Sequence, residues 1–425
     1  MQQQQIIDQT LDRLFRLESG KMVAVLSRLL GMEHLELAED LVQDTLVQAM
    51  NSWSYGGIPQ HPSAWLYRVA KNKAIDYLRR EKKFREIAPQ YSYLLRSEQT
   101  LDPVMDHLFQ EQEIQDSQLR MIFACCHPSI APESQIAFVL KVLCGLSAGE
   151  IARAFITSEE AITKRIYRAK EKIRAEKIEL DLPSKADLPL RIDTVLASLY
   201  LLFNEGYLSA HPDLFIREEL CEEAMRLNYL LTLNPVTNLS RTRALLSLFC
   251  FQASRLNVRT DDHGQIILLK YQDRKKWYRP LMEKGFGYLE SSVSKTDDTS
   301  AYHLEAAIAS QHASASSFEL TDWKCIYFLY EHLYALKGTP IVALNKAIAA
   351  AYALGKEEAI RQLLEIRGLE SYHLYHTSLG EIYLELNEKE LARKFFETAQ
   401  SLAPTRKEKE FLESKIRRCG GMVRW

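Results

Sequence analysis

Apolar side chains recur at helical spacing along almost the whole chain, and the alternating pattern of a half-buried strand is scarce. The best strand candidate is the short segment Gln265–Leu269. Most of the 16 glycines and 13 prolines fall between the periodic segments. The pattern predicts an all-α protein in successive blocks. Residues 1–85 form a helical block ending in a basic run. Residues 86–115 read as a linker of turn formers and mixed polarity. Residues 116–180 form a second small helical block, also ending in a basic run. A break at Asp181–Pro189 precedes residues 190–425, which are helical, more neutral, and repeat-like near 339–404.

In Leu146–Ala175 (LSAGEIARAFITSEEAITKRIYRAKEKIRA), Ser147 with Glu150 reads as a capping box that opens a short helix. Thr157 with Glu160 reads as a second capping box opening another. Ile162, Ile166, Ala169 and Ile173 then share one apolar face. Two short helices across a tight turn make a helix-turn-helix. The second helix carries Lys164, Arg165, Arg168, Lys170, Lys172, Arg174 and Lys177 against Glu171 and Glu176. Such a face suits phosphates and the major groove. Lys164 and Arg168, with Tyr167 between them, are the candidates for base edges; Arg165, Lys172 and Arg174 suit phosphates, which position without specifying. The competing reading is a solvated basic helix.

The segment Trp65–Arg85 (WLYRVAKNKAIDYLRREKKFR) places Arg68, Lys71, Lys73, Arg79, Arg80, Lys82, Lys83 and Arg85 against Asp76 and Glu81. Trp65, Leu66, Val69, Ala70, Ile75 and Leu78 supply its apolar stripe. Cations follow phosphates and aromatic faces stack on unpaired bases, so this helix suits a melted DNA strand. Trp65 itself reads as core, and Asn72, Asp76, Arg79 and Arg80 are the candidates for DNA contact. Upstream, in LAEDLVQDTLVQAM, Leu37, Leu41 and Thr45 are expected to face inward. Glu39, Asp40, Gln43, Asp44 and Gln48 are expected to face outward. Asp40 and Asp44 lie one turn apart, an acidic stripe suited to a basic partner helix.

Composition narrows the classes. At 47% hydrophobic and 26% charged, the 425-residue chain is globular and holds roughly two to four domains. A formal net charge of −2 excludes a uniformly basic nucleic-acid binder and makes the basic runs local features. The start, MQQQQIIDQT, lacks the basic and apolar regions of a secretory signal. The longest apolar run, near Val195–Phe203, is too short for a bilayer, so a cytoplasmic location without membrane attachment is expected. Seven scattered cysteines without a CxxC pair argue against a disulfide framework. Cys125-Cys126-His127 has poor geometry for one tetrahedral metal, so no metal is expected. Asn204-Glu205-Gly206-Tyr207, with His211 close by, is a polar island read as a helix ending at Gly206. There is no P-loop, nucleophile elbow, GxGxxG or HExxH; no catalytic residue and no cofactor are expected.

Taken in order, AEDLVQDTLVQAM, PSAWLYRVAKNKAIDYLRREKK and the helix-turn-helix ending TKRIYRAKEKIR resemble sigma factors of the extracytoplasmic-function type. These are promoter-recognition subunits of bacterial RNA polymerase. The resemblance implies that the acidic helix, at Asp40, Gln43 and Asp44, binds the core enzyme. It implies that the helix bearing Asn72, Asp76, Arg79 and Arg80 melts and reads a downstream promoter element. It implies that Lys164, Arg165 and Arg168 read an upstream element, and that the chain is not an enzyme. The implied partners are RNA polymerase core and promoter DNA. IFACCHPSIAPESQIAFVLKVLCGLSAGEIARAF, LYLLFNEGYLSA and PIVALNKAIAAAYALGK resemble a narrower subgroup with a long C-terminal extension of tetratricopeptide-type repeats.

Within that extension, Leu379, Gly380, Tyr383, Ala392, Phe396, Ala399 and Pro404 fall where a tetratricopeptide unit places them, and a less regular unit covers Thr339–Leu364. About three repeats are needed for a solenoid, so one helical domain with a repeat-like end is expected. Its surface suits a regulatory protein, but regulation of the sigma module in cis ranks above that. One rival is an operator-binding regulator that never touches polymerase. Another is an enzyme in residues 190–330, whose sign would be a deep polar pocket around Asn204, Glu205 and His211.

Overall fold

The computed structural model describes residues 2–81, 101–155, 157–184, 186–208, 216–261, 265–293 and 299–420. Regular structure among them is helical. The strand candidate contributes only a single bridge, Ile266 to Thr260. No described helix is long and apolar enough to cross a membrane. The chain divides into two compact units, Met1–Leu202 with Glu222–Thr237, and Phe203–Cys221 with Asn238–Trp425.

The first unit holds α1 (Gln2–Leu30), α2 (Leu35–Gly56), α3 (Pro62–Glu81), α4 (Leu101–Leu108), α5 (Glu111–Cys125), α6 (Pro132–Val142), α7 (Ala148–Ala154) and α8 (Glu159–Glu176). Helices α4 and α5 begin inside the segment 86–115 read as a linker; residues 82–100 lie outside the described set. Parts of α9 (Leu188–Tyr207) and α10 (Glu218–Leu233) complete the unit. Its core includes Met22, Leu26 and Leu30 of α1, Leu66 and Leu78 of α3, and Phe123 and Phe138. Gly20 permits a close approach: a Cβ there would stand 2.1 Å from the Leu143 carbonyl oxygen.

The second unit continues with α11 (Ser240–Ala253), α12 (Arg279–Ser292), α13 (Ala301–Ser314) and α14 (Trp323–Lys337). Five further helices follow: α15 (Pro340–Ala353), α16 (Lys356–Glu365), α17 (His373–Glu385), α18 (Lys389–Leu402) and α19 (Arg406–Cys419). Consecutive helices pack on one another through small residues. Ala347, Ala350 and Ala359 sit in one cluster with Leu363 and Leu379, and Ala392 and Ala399 sit in another with Phe396. A Cβ on Gly380 would stand 2.7 Å from the Phe396 ring, so glycine sets how near α17 and α18 come. Tyr383 is half-buried and stacks on Phe395, with ring centres 5.5 Å apart.

α9 ends at Tyr207, one residue past Gly206, close to where the polar island placed the helix end. A Cβ on Gly206 would meet the Arg217 carbonyl at 2.7 Å and the Cys221 nitrogen at 2.8 Å, so the glycine also permits a close backbone approach. His211 lies outside the described residues.

Candidate polymerase and nucleic-acid interface

On α2, Leu41, Val42 and Thr45 are buried, and Thr45 returns its hydroxyl to the Leu41 carbonyl at 2.8 Å. Asp40, Gln43, Asp44 and Gln48 are exposed on the opposite side, as the spacing predicted. On α3, Asn72, Asp76 and Arg79 are exposed, while Leu66, Ala70, Ile75 and Leu78 are buried. The Arg80 side chain lies outside the described set. Trp65 is half-buried in an edge contact with Trp53, ring centres 5.3 Å apart. Glu18 of α1 anchors the start of α3: it accepts from the Tyr67 hydroxyl and, at 3.0 Å, from Ser63. Burial first, then the Glu18 charge, raises Tyr67 far above the ordinary tyrosine range.

The helix-turn-helix is α7, a short turn and α8. Ser147 and Glu150 form the expected capping box, with Ser147 N–H donating to Glu150 Oε2 at 2.7 Å. The second cap differs from the expected one. Ser158, not Thr157, caps α8 by accepting from the Ala161 N–H, and the Thr157 N–H donates to the Ala152 carbonyl in the turn. Ile162, Ile166, Ala169 and Ile173 are the buried face. Lys164, Tyr167 and Arg168 are exposed on the outer face. Most of the cations already hold carboxylates: Lys164 with Glu160 at 2.6 Å, Arg165 with Glu133 at 2.7 Å, and Lys172 with Glu176 at 2.8 Å. Arg168 forms no ion pair with a described residue.

Cys125 and Cys126 are fully buried, and burial pushes the Cys126 thiol up to about 12. His127 Nδ1 meets the Ser129 hydroxyl at 2.7 Å. The triplet thus packs the start of the second helical block.

Residues 14–84 match Sigma-70 region 2 and residues 120–173 match Sigma-70, region 4. Residues 191–293 match a family of unknown function, DUF6596. A curated relative, "Uncharacterized protein R00370" of Rhizobium meliloti (strain 1021), is 33% identical over 404 residues, which is 94% of each chain. The chain belongs to the sigma-70 family, as an extracytoplasmic-function-type sigma factor with a C-terminal extension. No solved structure matches it.

In this sigma factor, regions 2 and 4 pack together within one unit. Arg28 of α1 reaches Glu113 at 2.8 Å and Asp116 at 3.1 Å on α5. Arg16 reaches Glu150 at 2.9 Å. Lys170 and Arg174 of the recognition helix hold Glu39 at 2.6 Å and Glu36 at 3.0 Å, one turn upstream of Asp40 on α2. These pairs join residues 85 or more apart in the chain, and sequence spacing gave no signal for them. Arg174, read as a phosphate contact, is committed to glutamates in this arrangement.

Glu150 sits at the joint. Burial would raise its carboxyl, but the Ser147 N–H and the Arg16 guanidinium outweigh that and hold it at about 2, below its ordinary 4.5. A depressed folded value stabilises the fold above the unfolded value, and that contribution disappears as pH falls from 4.5 towards 2. Glu150→Gln is therefore expected to cost about 1–2 kcal/mol at neutral pH. Its urea midpoint should converge on that of the parent as the titration descends through this window. Parallel curves would show that the charge contributes nothing.

Proposed function

We propose that this sigma factor engages core polymerase through Asp40, Gln43 and Asp44. Asn72, Asp76, Arg79 and Arg80 then serve the downstream promoter element, and Lys164, Arg165 and Arg168 the upstream one. The extension regulates these steps in cis. Exposure of Asp40, Gln43, Asp44, Asn72, Asp76, Arg79, Lys164 and Arg168 beside well-packed helix faces supports their assignment, whereas Arg165 is half-buried and paired with Glu133. Arg168 is the sharpest of them, being exposed and forming no ion pair with a described residue. Arg168→Ala is expected to weaken binding to the upstream element by about 1–3 kcal/mol and to relax specificity at one base position. Equal loss on all sequences in a salt titration would make it a phosphate contact.

Regulation in cis rests on one observation. Residues 188–202 and 222–237, which follow region 4, belong to the same compact unit as both sigma regions. Arg226 of α10 donates to the buried Gln118 Oε1 of α5 at 3.0 Å, while Glu223 holds the other side of its guanidinium at 2.7 Å. Arg226→Ala in the full chain removes that joint without touching a proposed DNA or core contact. Run-off transcription with purified core should change several-fold, while core capture stays equal. An unchanged yield would mean that the extension does not act on initiation through this joint. A repeat surface also suits a separate regulatory protein, but no contact favours that reading.

A further inference from the structure

We propose that the region of unknown function carries a further DNA contact, in which Lys275, Lys276 and Arg279, with Tyr278 between them, hold backbone phosphates of duplex DNA. The contact needs only that a sigma factor works at DNA. It is separate from the site residues of regions 2 and 4 and from how the extension regulates them.

Arg274–Lys276 form a single 3₁₀ turn, a geometry in which side chains at i and i+3 eclipse. That spacing turns Arg274 and Trp277 inward together. Trp277 is only 3% exposed, and the Arg274 guanidinium lies 5.0 Å from its ring centre. Arg274 also donates to the His312 and Ala315 carbonyls and the Thr321 hydroxyl. The backbone is held as well. The Tyr278 N–H donates to the Ser254 carbonyl at 2.7 Å, and Asn257 Nδ2 donates to the Lys276 carbonyl at 3.2 Å. The remaining residues, Lys275, Lys276, Tyr278 and Arg279, are exposed, Tyr278 at 57%. A backbone fixed in advance loses little entropy when a ligand binds.

Residues 274–282 hold four cations and no carboxylate. The acid just upstream, Asp273, turns its side chain to the Lys275 N–H at 3.0 Å. Lys275, Lys276 and Arg279 form no ion pair with a described residue. Arg274 stands apart from them, since it is turned inward and its charge is felt by Glu319. Other exposed arginines of the extension are spent on their own helices: Arg361 on Glu358 and Glu365, Arg393 on Glu397, and Arg417 on Glu413. Three unspent cations within five residues suit the dense charge of duplex DNA, about one phosphate per 1.7 Å of axis. An exposed tyrosine hydroxyl adds a phosphate donor, and such contacts position the protein without reading sequence. Regions 2 and 4 bring the same chain to DNA, which raises the effective concentration of phosphate at this face.

Fluorescence anisotropy of the full chain on a labelled duplex of random sequence, repeated at several salt concentrations, tests the contact. The slope of log K against log salt counts the phosphates held. Lys275→Gln, Lys276→Gln and Arg279→Gln together are expected to make that slope shallower by about 2–3. Lys275→Arg with Lys276→Arg should leave it as in the parent. Lys389→Gln, Lys394→Gln and Lys409→Gln together remove the same charge from other exposed positions of the extension, and should also leave it unchanged. If the first variant loses helix by circular dichroism, Lys275→Gln alone carries the test, with an expected fall of about one. The contact is overturned by an unchanged slope in the folded glutamine variant, by a fall in the arginine variant, or by an equal fall in the Lys389, Lys394 and Lys409 variant, which would mean that net charge alone acts.

Discussion

Asp40→Lys combined with Asp44→Lys is expected to weaken capture of core RNA polymerase by about a hundredfold or more, with little change in melting temperature. The two links of this argument are separable. For the fold, both aspartates are exposed, and neither forms an ion pair with a described residue. Lysine is also a better helix former than aspartate. The buried side of α2, with Ala38, Leu41, Val42 and Thr45, is untouched. For binding, reversing two charges on a stripe matched to a basic partner replaces attraction by repulsion; about 1.4 kcal/mol per site already gives a hundredfold. Pull-down of purified core with the full chain reads the effect, and circular dichroism reads the fold. Retained capture by a folded variant would move core binding off α2. Loss of capture with loss of helix would leave only a structural role.

The local parts of this molecule were legible in its sequence. Ile162, Ile166, Ala169 and Ile173 repeat at helical spacing and are buried as a set, because helical periodicity carries that information within a few residues. On α2 the same reasoning places Leu41 and Thr45 inside and Asp40, Gln43, Asp44 and Gln48 outside, but Leu37 and Glu39 are half-buried, Glu39 in its pair with Lys170. Thr157 and Ser158 show where this stops. Both side chains can cap, and only where the helix begins, at Glu159, decides between them. Gly206 reads as a helix end by type, and α9 does stop one residue on, but its close approach to the Arg217 and Cys221 backbone is set by the fold and not by residue type. The recognition-helix cations looked available because their partners, Glu36 and Glu39, lie 131 or more residues away. The stacking of Arg259 on Tyr207 escaped for the same reason, since the two lie 52 residues apart. The joint also bears on dissection by truncation. A chain cut after Leu180 loses residues 188–202 and 222–237 of its own sigma unit, so altered activity would mix lost regulation with lost packing. Arg226→Ala avoids that.

Gly20→Ala should destabilise the sigma unit, against what helix propensity alone predicts. In an exposed helix interior, alanine would gain about 1 kcal/mol over glycine. Here the added Cβ would stand 2.1 Å from the Leu143 carbonyl oxygen and 3.1 Å from the Leu143 Cα. These are backbone atoms that cannot rotate aside, and overpacking of this kind costs about 1–3 kcal/mol or more. Gly20 lies on α1 of region 2, and Leu143 ends α6 of region 4. The strain therefore falls on the contact between the two regions, and the cheapest relief is to separate them. Separation also frees Lys170 and Arg174 from Glu39 and Glu36, as the proposed reading of two promoter elements by the two regions would require. Urea unfolding should show the loss, small-angle scattering an expanded unit, and run-off transcription a yield no lower than the parent's. Arg28→Glu, which turns the pairs with Glu113 and Asp116 into repulsion, should expand the unit in the same way without a steric change. A Gly20→Ala chain that is more stable and equally compact would show that regions 2 and 4 are not in contact at this point.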